Sequence, residues 1–308
     1  MRMPSSVVLC LLLLAAAPLV AQSDNSVDLA IAMKFYPVRL DDQWRATHAA
    51  WKPVTRIARP LRIDFDKSGK EDYLAVAYSN GLVGSVRILK GYTADTATLV
   101  TEINDPVFGG NGRPFVDQVD MDNDGVPELV VQFSHSSYIY KYAGGALSLF
   151  GPTRTTKFGT TSKLGDVCFL DTNGDGTLEI LERVSDPVPG YIVWQFDESG
   201  HFRRSASLAI FADLFERRDG EPVSESRPFG ATPGTGYVLR VTNGDQAGGR
   251  MVTSAEVRLN GTTVLMPNDF RKSVRTLSVP ITLAADNDLT VDLRSDPGTF
   301  ISVVVIRP

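Results

Sequence analysis

The sequence predicts an all-β chain in two parts, a run of repeated units followed by a small C-terminal antiparallel β-sandwich. Three observations carry this. Short runs alternate with the period of a strand: Leu129, Val131 and Phe133 against Val130 and Gln132, then Tyr138, Tyr140 and Tyr142 against Ile139 and Lys141. Segments around Asp64, Asp120 and Asp171 superimpose, at spacings of 56 and 51 residues. Beyond Gly236, GYVLRVTN, RMVTSAEVRLNG, TTVLMP, RTLSVPITLA, NDLTVDLR and TFISVVVIRP give about six strands separated by turn signals.

Taken in order, residues 1–21 read as a secretory signal peptide, with Arg2, an apolar core from Val7 to Val20 and cleavage after Ala21. That core is shorter than the roughly 18 residues a membrane span needs, and no later apolar stretch reaches that length. The expectation is a secreted chain with no membrane span in its mature form. Only Cys168 would remain, so no intramolecular disulfide can form. A net charge of −5 without long basic runs argues against nucleic acid as a partner. Residues 22–56 are left unassigned, although Trp44, His48 and Trp51 form a helical stripe bracketed by Pro37 and Pro53.

Residues 57–207 hold the repeats. Each has an apolar run, an acidic loop with a central glycine, then an apolar strand just after an acidic residue. Four short strands per unit are expected, and such a sheet cannot bury both faces alone, so units must stack. The spacing lies near the period of propeller blades. Three blades are clear, and the chain has length for a fourth. Residues 208–235, rich in Gly, Pro and Ser toward their end, read as a linker, and residues 236–308 as a sandwich that folds on its own.

The loops point to calcium, a hard cation that takes six to eight oxygens and so needs a short, sharply turned loop with alternate donors facing inward. In the second loop Asp120, Asp122 and Asp124 stand at positions 1, 3 and 5, Gly125 turns the chain, Val126 offers its carbonyl and Glu128 closes at position 9. The third loop uses Asp171, Asn173, Asp175, Gly176, the Thr177 carbonyl and Glu179 in the same places. The first uses Asp64, Asp66, Ser68, Gly69, the Lys70 carbonyl and Asp72. These units resemble the FG-GAP or VCBS repeats of integrin α-chain propellers. The resemblance implies that Ca2+ is held in the loop between the first two strands of a blade, by the residues just named. The first loop departs from the pattern, with Ser68 at position 5 and both Lys67 and Lys70 present. The third also satisfies an EF-hand pattern with Glu182 at position 12, but its apolar flanks favour strands, which would turn Glu182 to the face opposite Glu179.

No catalytic constellation stands out. His48, His135 and His201 are scattered, and neither His-Glu-x-x-His nor Gly-x-Ser-x-Gly occurs. Gly109, Gly110 and Gly112 lack a following helix to hold a phosphate, and Cys168 lies in an apolar run as a small buried hydrophobe. The expectation is a secreted, non-catalytic protein for recognition or adhesion, with a glycan or protein ligand. The alternatives are a carbohydrate-active enzyme or lectin with a calcium-stabilised propeller, and a structural surface module.

Overall fold

The computed structural model describes residues 25–38, 40, 42, 46, 56–80, 83–93, 95–105, 114–133, 136–156, 159–161, 163–184, 190–197, 199–218, 222, 224–244 and 248–307. The expected signal peptide, the Trp44–Trp51 stripe, His135 and the glycines at 109, 110 and 112 lie outside them. The described residues fall into two compact units, 25–166 with 196–202, and 167–195 with 203–307.

The first unit opens with helix α1 (Asn25–Lys34), followed by β1 (Arg56–Ile57), β2 (Leu61–Ile63), β3 (Tyr73–Ser79), β4 (Gly84–Lys90) and β5 (Thr98–Asp105). These strands form one antiparallel sheet in which β1 and β2 pair with opposite ends of β3, like one edge strand interrupted at Pro60. Proline has no backbone N–H to give to a ladder. All seven residues of β3 are buried, because both of its faces are covered. Leu74, Val76 and Tyr78 pack against Ile31 and Ala32 of α1. Ala75 and Ala77 join the core shared with the next sheet. Asp28 pins the helix through a two-pronged bond from Arg62, 2.8 and 2.9 Å long.

That next sheet is β6 (Phe115–Val119), β7 (Glu128–Phe133), β8 (Ser136–Ala143) and β9 (Ala146–Leu149), antiparallel in sequence order. Leu129, Val131, Phe133, Tyr138 and Tyr140 turn inward to the common core. A hairpin of β10 (Arg154–Thr156) and β11 (Gly159–Thr161) follows.

The second unit begins with the third repeat, β12 (Val167–Leu170), β13 (Glu179–Val184) and β14 (Gly190–Phe196), and continues through β15 (Phe202–Glu216) and β16 (Ser224–Gly230). The six strands expected beyond Gly236 are present as β17 (Gly234–Asn243), β18 (Ala255–Leu259), β19 (Thr262–Leu265), β20 (Thr276–Leu283), β21 (Asp286–Leu293) and β22 (Phe300–Arg307). A seven-stranded sheet runs β12-β13-β14-β15-β22-β17-β20, and a four-stranded one runs β16-β21-β18-β19. Their inner faces meet through Phe215, Leu239, Val241, Val257, Leu289, Val291, Val303 and Val305. On the outer face of the large sheet, Val304 and Ile306 pack with Leu170, Leu181 and Val193 of the third repeat.

Two expectations change here. Residues 208–235 are not a linker: most of β15 and all of β16 lie there, with Pro228 and Gly230 inside β16. Nor is the third repeat a separate stacked sheet, since its strands extend the large sheet of the sandwich. All the sheets are antiparallel and none closes on itself among the described residues, so propeller blades are not established. No helix among those residues is long and apolar enough to cross a membrane.

Candidate metal centre

The three acidic loops join β2 to β3, β6 to β7 and β12 to β13. They share one local geometry. The carboxylate at position 1 accepts from the backbone N–H of the glycine at position 6: Asp64 from Gly69 at 2.8 Å, Asp120 from Gly125 at 3.0 Å and Asp171 from Gly176 at 3.0 Å. Those glycines have φ of 75°, 80° and 89°, which a residue with a Cβ adopts only under strain. A second ladder runs from position 5 to the N–H at position 7, with Asp124 accepting from Val126 and Asp175 from Thr177, both at 2.7 Å, and Ser68 Oγ accepting from Lys70 at 3.3 Å. Position 9 closes the second and third loops: Glu128 accepts from Met121 N at 2.9 Å and Glu179 from Thr172 N at 2.6 Å. Asp72, one carbon shorter, receives no such bond in the first loop.

In the second loop Asp120, Asp122 and Asp124 bring carboxylate oxygens within 4.8 Å of one another. Glu128 beside them is fully buried. Its Oε1 and Asp120 Oδ1 are buried without a hydrogen-bond partner. Burial pushes the Glu128 carboxyl up to about 7 and raises that of Asp120 as well, because desolvation disfavours the charged form. Two lysines reach in. Lys141, on β8, bonds to Asp122 and to Asp124, the latter at 2.7 Å, and its ammonium lies 3.6 Å from Glu128 Oε1. Lys67, from the first loop, donates to the main-chain carbonyl of Asp124. Burial works against the charge on Lys141, but the bonds to Asp122 and Asp124 outweigh it and raise its pKa. An all-oxygen donor set with two unsatisfied buried oxygens fits a hard divalent cation such as calcium.

The first loop has its own lysine. Lys90 lies 2.9 Å from Asp66 Oδ2 and 3.7 Å from Asp72 Oδ2 and donates to Tyr73 Oη at 2.8 Å. Hydrogen bonding from Lys90 holds the Asp66 carboxyl well below the usual range. Asp72 Oδ1 is left buried and unpaired, while the Lys70 carbonyl already accepts from Asp72 N at 2.9 Å. The third loop is satisfied internally instead. Asn173 Nδ2 donates to Asp175 and Glu179 at 2.7 and 2.9 Å, and Thr172 adds its hydroxyl to Glu179 at 2.7 Å. Burial raises Glu179 to about 7. From β17, Thr242 and Arg240 donate to the carbonyls of Asp171 and Thr172. A strand, not a helix, leaves this loop, and Glu182 accepts from Trp194 Nε1 at 3.1 Å away from the loop.

Lys90 and Lys141 are the residues that sequence reasoning missed. Each is a lysine on the strand that pairs with the one leaving its loop. Lys141 interrupts an otherwise aromatic and apolar run, and that was the available signal.

No curated protein matches the chain in sequence. Among solved structures, it is similar to the exo-β-1,3-galactanase of Phanerochaete chrysosporium, with 11% identity over 82% of this chain and 84% of that one and a TM-score of 0.22. It is also similar to the exo-inulinase of Aspergillus awamori, with 9% identity over 80% and 66% and a TM-score of 0.23. Likenesses of that size carry no argument about fold or activity. Residues 120–182, from Asp120 of the second loop into β13 beyond the third, match the model of the FG-GAP-like repeat, and such a repeat is what this stretch contains.

Proposed function

We propose that the chain is a secreted calcium-binding repeat protein that serves non-catalytic recognition or adhesion toward a glycan or protein ligand. The observation that carries the metal part is the second loop, where Asp120, Asp122 and Asp124 converge beside the buried, unpaired oxygens of Asp120 and Glu128. Calcium there would supply the positive charge that four carboxylates in nine residues call for. The first and third loops, with Asp64, Asp66, Asp72, Asp171, Asn173, Asp175 and Glu179, repeat the frame with fewer unsatisfied oxygens. In this reading the repeats are blades of the FG-GAP or VCBS kind, and the metal stiffens the loops rather than taking part in a reaction.

Three measurements test the proposal. Chelation of calcium should lower the melting temperature, and an unchanged value would reduce the loops to acidic turns. A glycan array probed with and without calcium should show metal-dependent binding if the ligand is a sugar. Turnover of a polysaccharide would overturn the non-catalytic part.

A further inference from the structure

We propose that Lys141 is an exchangeable internal cation of the second loop. Its ammonium neutralises Asp122, Asp124 and Glu128 when no divalent metal is present and withdraws to solvent when one binds. The inference rests on the calcium reading above.

Among the described residues, Lys141 is the one ammonium that bonds the carboxylates of a loop holding four, Lys67 being engaged with the Asp124 carbonyl, and Asp120 Oδ1 and the fully buried Glu128 Oε1 still lack hydrogen bonds. The Lys141 side chain is 27% exposed, on a stem of four rotatable bonds, so it has an outward path. Its place on the strand matters too. Leu129 pairs with Tyr140, which sets Lys141 one step beyond; in the third repeat Ile180 pairs with Trp194, and the same step is the uncharged Gln195. The third loop meets its carboxylates with Asn173 and Thr172 instead of an ammonium. In the first loop Lys90 is additionally tied to the Tyr73 hydroxyl and lies 4.2 Å from the centre of that ring, whereas Lys141 lies 5.2 Å from the centre of the Phe150 ring, which offers no hydroxyl.

The test is a calorimetric calcium titration of the full chain, comparing wild type with Lys141→Gln, which copies the third repeat, and with Lys141→Arg, which keeps the charge. Removing a cation from within bonding distance of the ligands should tighten one site about tenfold in Lys141→Gln and not in Lys141→Arg. The gain should vanish when Asp122→Asn is added. Without metal, Lys141→Gln should melt below wild type, because its carboxylates are no longer neutralised. Unchanged or weaker calcium binding by a folded Lys141→Gln protein, with wild type binding normally, would overturn the exchange and leave the calcium reading standing. If none of the three proteins took up calcium, both would fall.

Discussion

Thr242 Oγ1 donates to the main-chain carbonyl of Asp171 at 3.0 Å, joining β17 to the third acidic loop across 71 residues of chain. Arg240, on the same face of the strand, donates to the carbonyl of Thr172. The third loop is therefore seated on the sandwich. Thr242→Val keeps the side-chain shape and removes the donor, leaving a buried carbonyl unpaired, which costs about 1–3 kcal/mol. Thermal unfolding should register this as a lower melting temperature, and no change would mean that the bond does not hold the loop.

Calcium that binds only the folded chain adds about 2.7 kcal/mol at a hundredfold excess over Kd. Glu128→Gln should act in opposite directions in the two states. Burial already disfavours the charged Glu128, so a neutral side chain of the same shape should raise the metal-free melting temperature above pH 7 while weakening calcium binding. A metal-free melting temperature that fell in this variant would show that the charge is needed even without metal.

Asp117 on β6 offers a pH test away from the loop itself. Burial pushes its carboxyl up to about 7, against about 3.9 for a free aspartate. The folded state thus holds this proton more tightly than the unfolded one. Its contribution to stability is complete below about pH 4 and is lost as the pH rises through about 7. Asp117→Asn should abolish that decline, so the gap between variant and wild-type melting temperatures should widen from pH 4 to 7 and then level off. A gap independent of pH would contradict the assignment.

A fragment of residues 236–308 should not fold alone, contrary to the sequence expectation. It lacks β15, which pairs with β22 from Leu208 to Glu216, and β16, which pairs with β21 along seven residues. It also loses Phe211 and Phe215 from the core. Residues 167–308, which supply all of these, should give a dispersed NMR spectrum. Dispersion from the shorter fragment would mean that six strands suffice.

Much of this was legible in the sequence because it is written in local patterns. Strands β18 and β21 alternate cleanly, β22 is a nearly continuous apolar run, and the loops keep a spacing that their shared N–H ladders require. β15 was hidden because a bulge between Ala209 and Phe211 breaks its alternation, and β16 because it carries Pro228 and ends at Gly230. Helix α1 gave no one-sided pattern: it buries Ile31 and Ala32 yet leaves Leu29 and Met33 exposed. Lys90 and Lys141 were overlooked for another reason. Their partners lie 18 to 24 and 13 to 19 residues earlier, on the far side of a hairpin that only the folded register defines.

The last strand in chain order, β22, sits near the middle of the large sheet, between β15 and β17, with Val303 and Val305 on one face and Val304 and Ile306 on the other. During synthesis both neighbours must wait with bare edges, exposed to pairing with other chains, until it emerges. Assembly of this unit is consequently dominated by contacts between distant residues, which slows folding. A stop codon before Phe300 would release a chain whose third loop is complete in sequence but whose supporting sheet lacks its keystone.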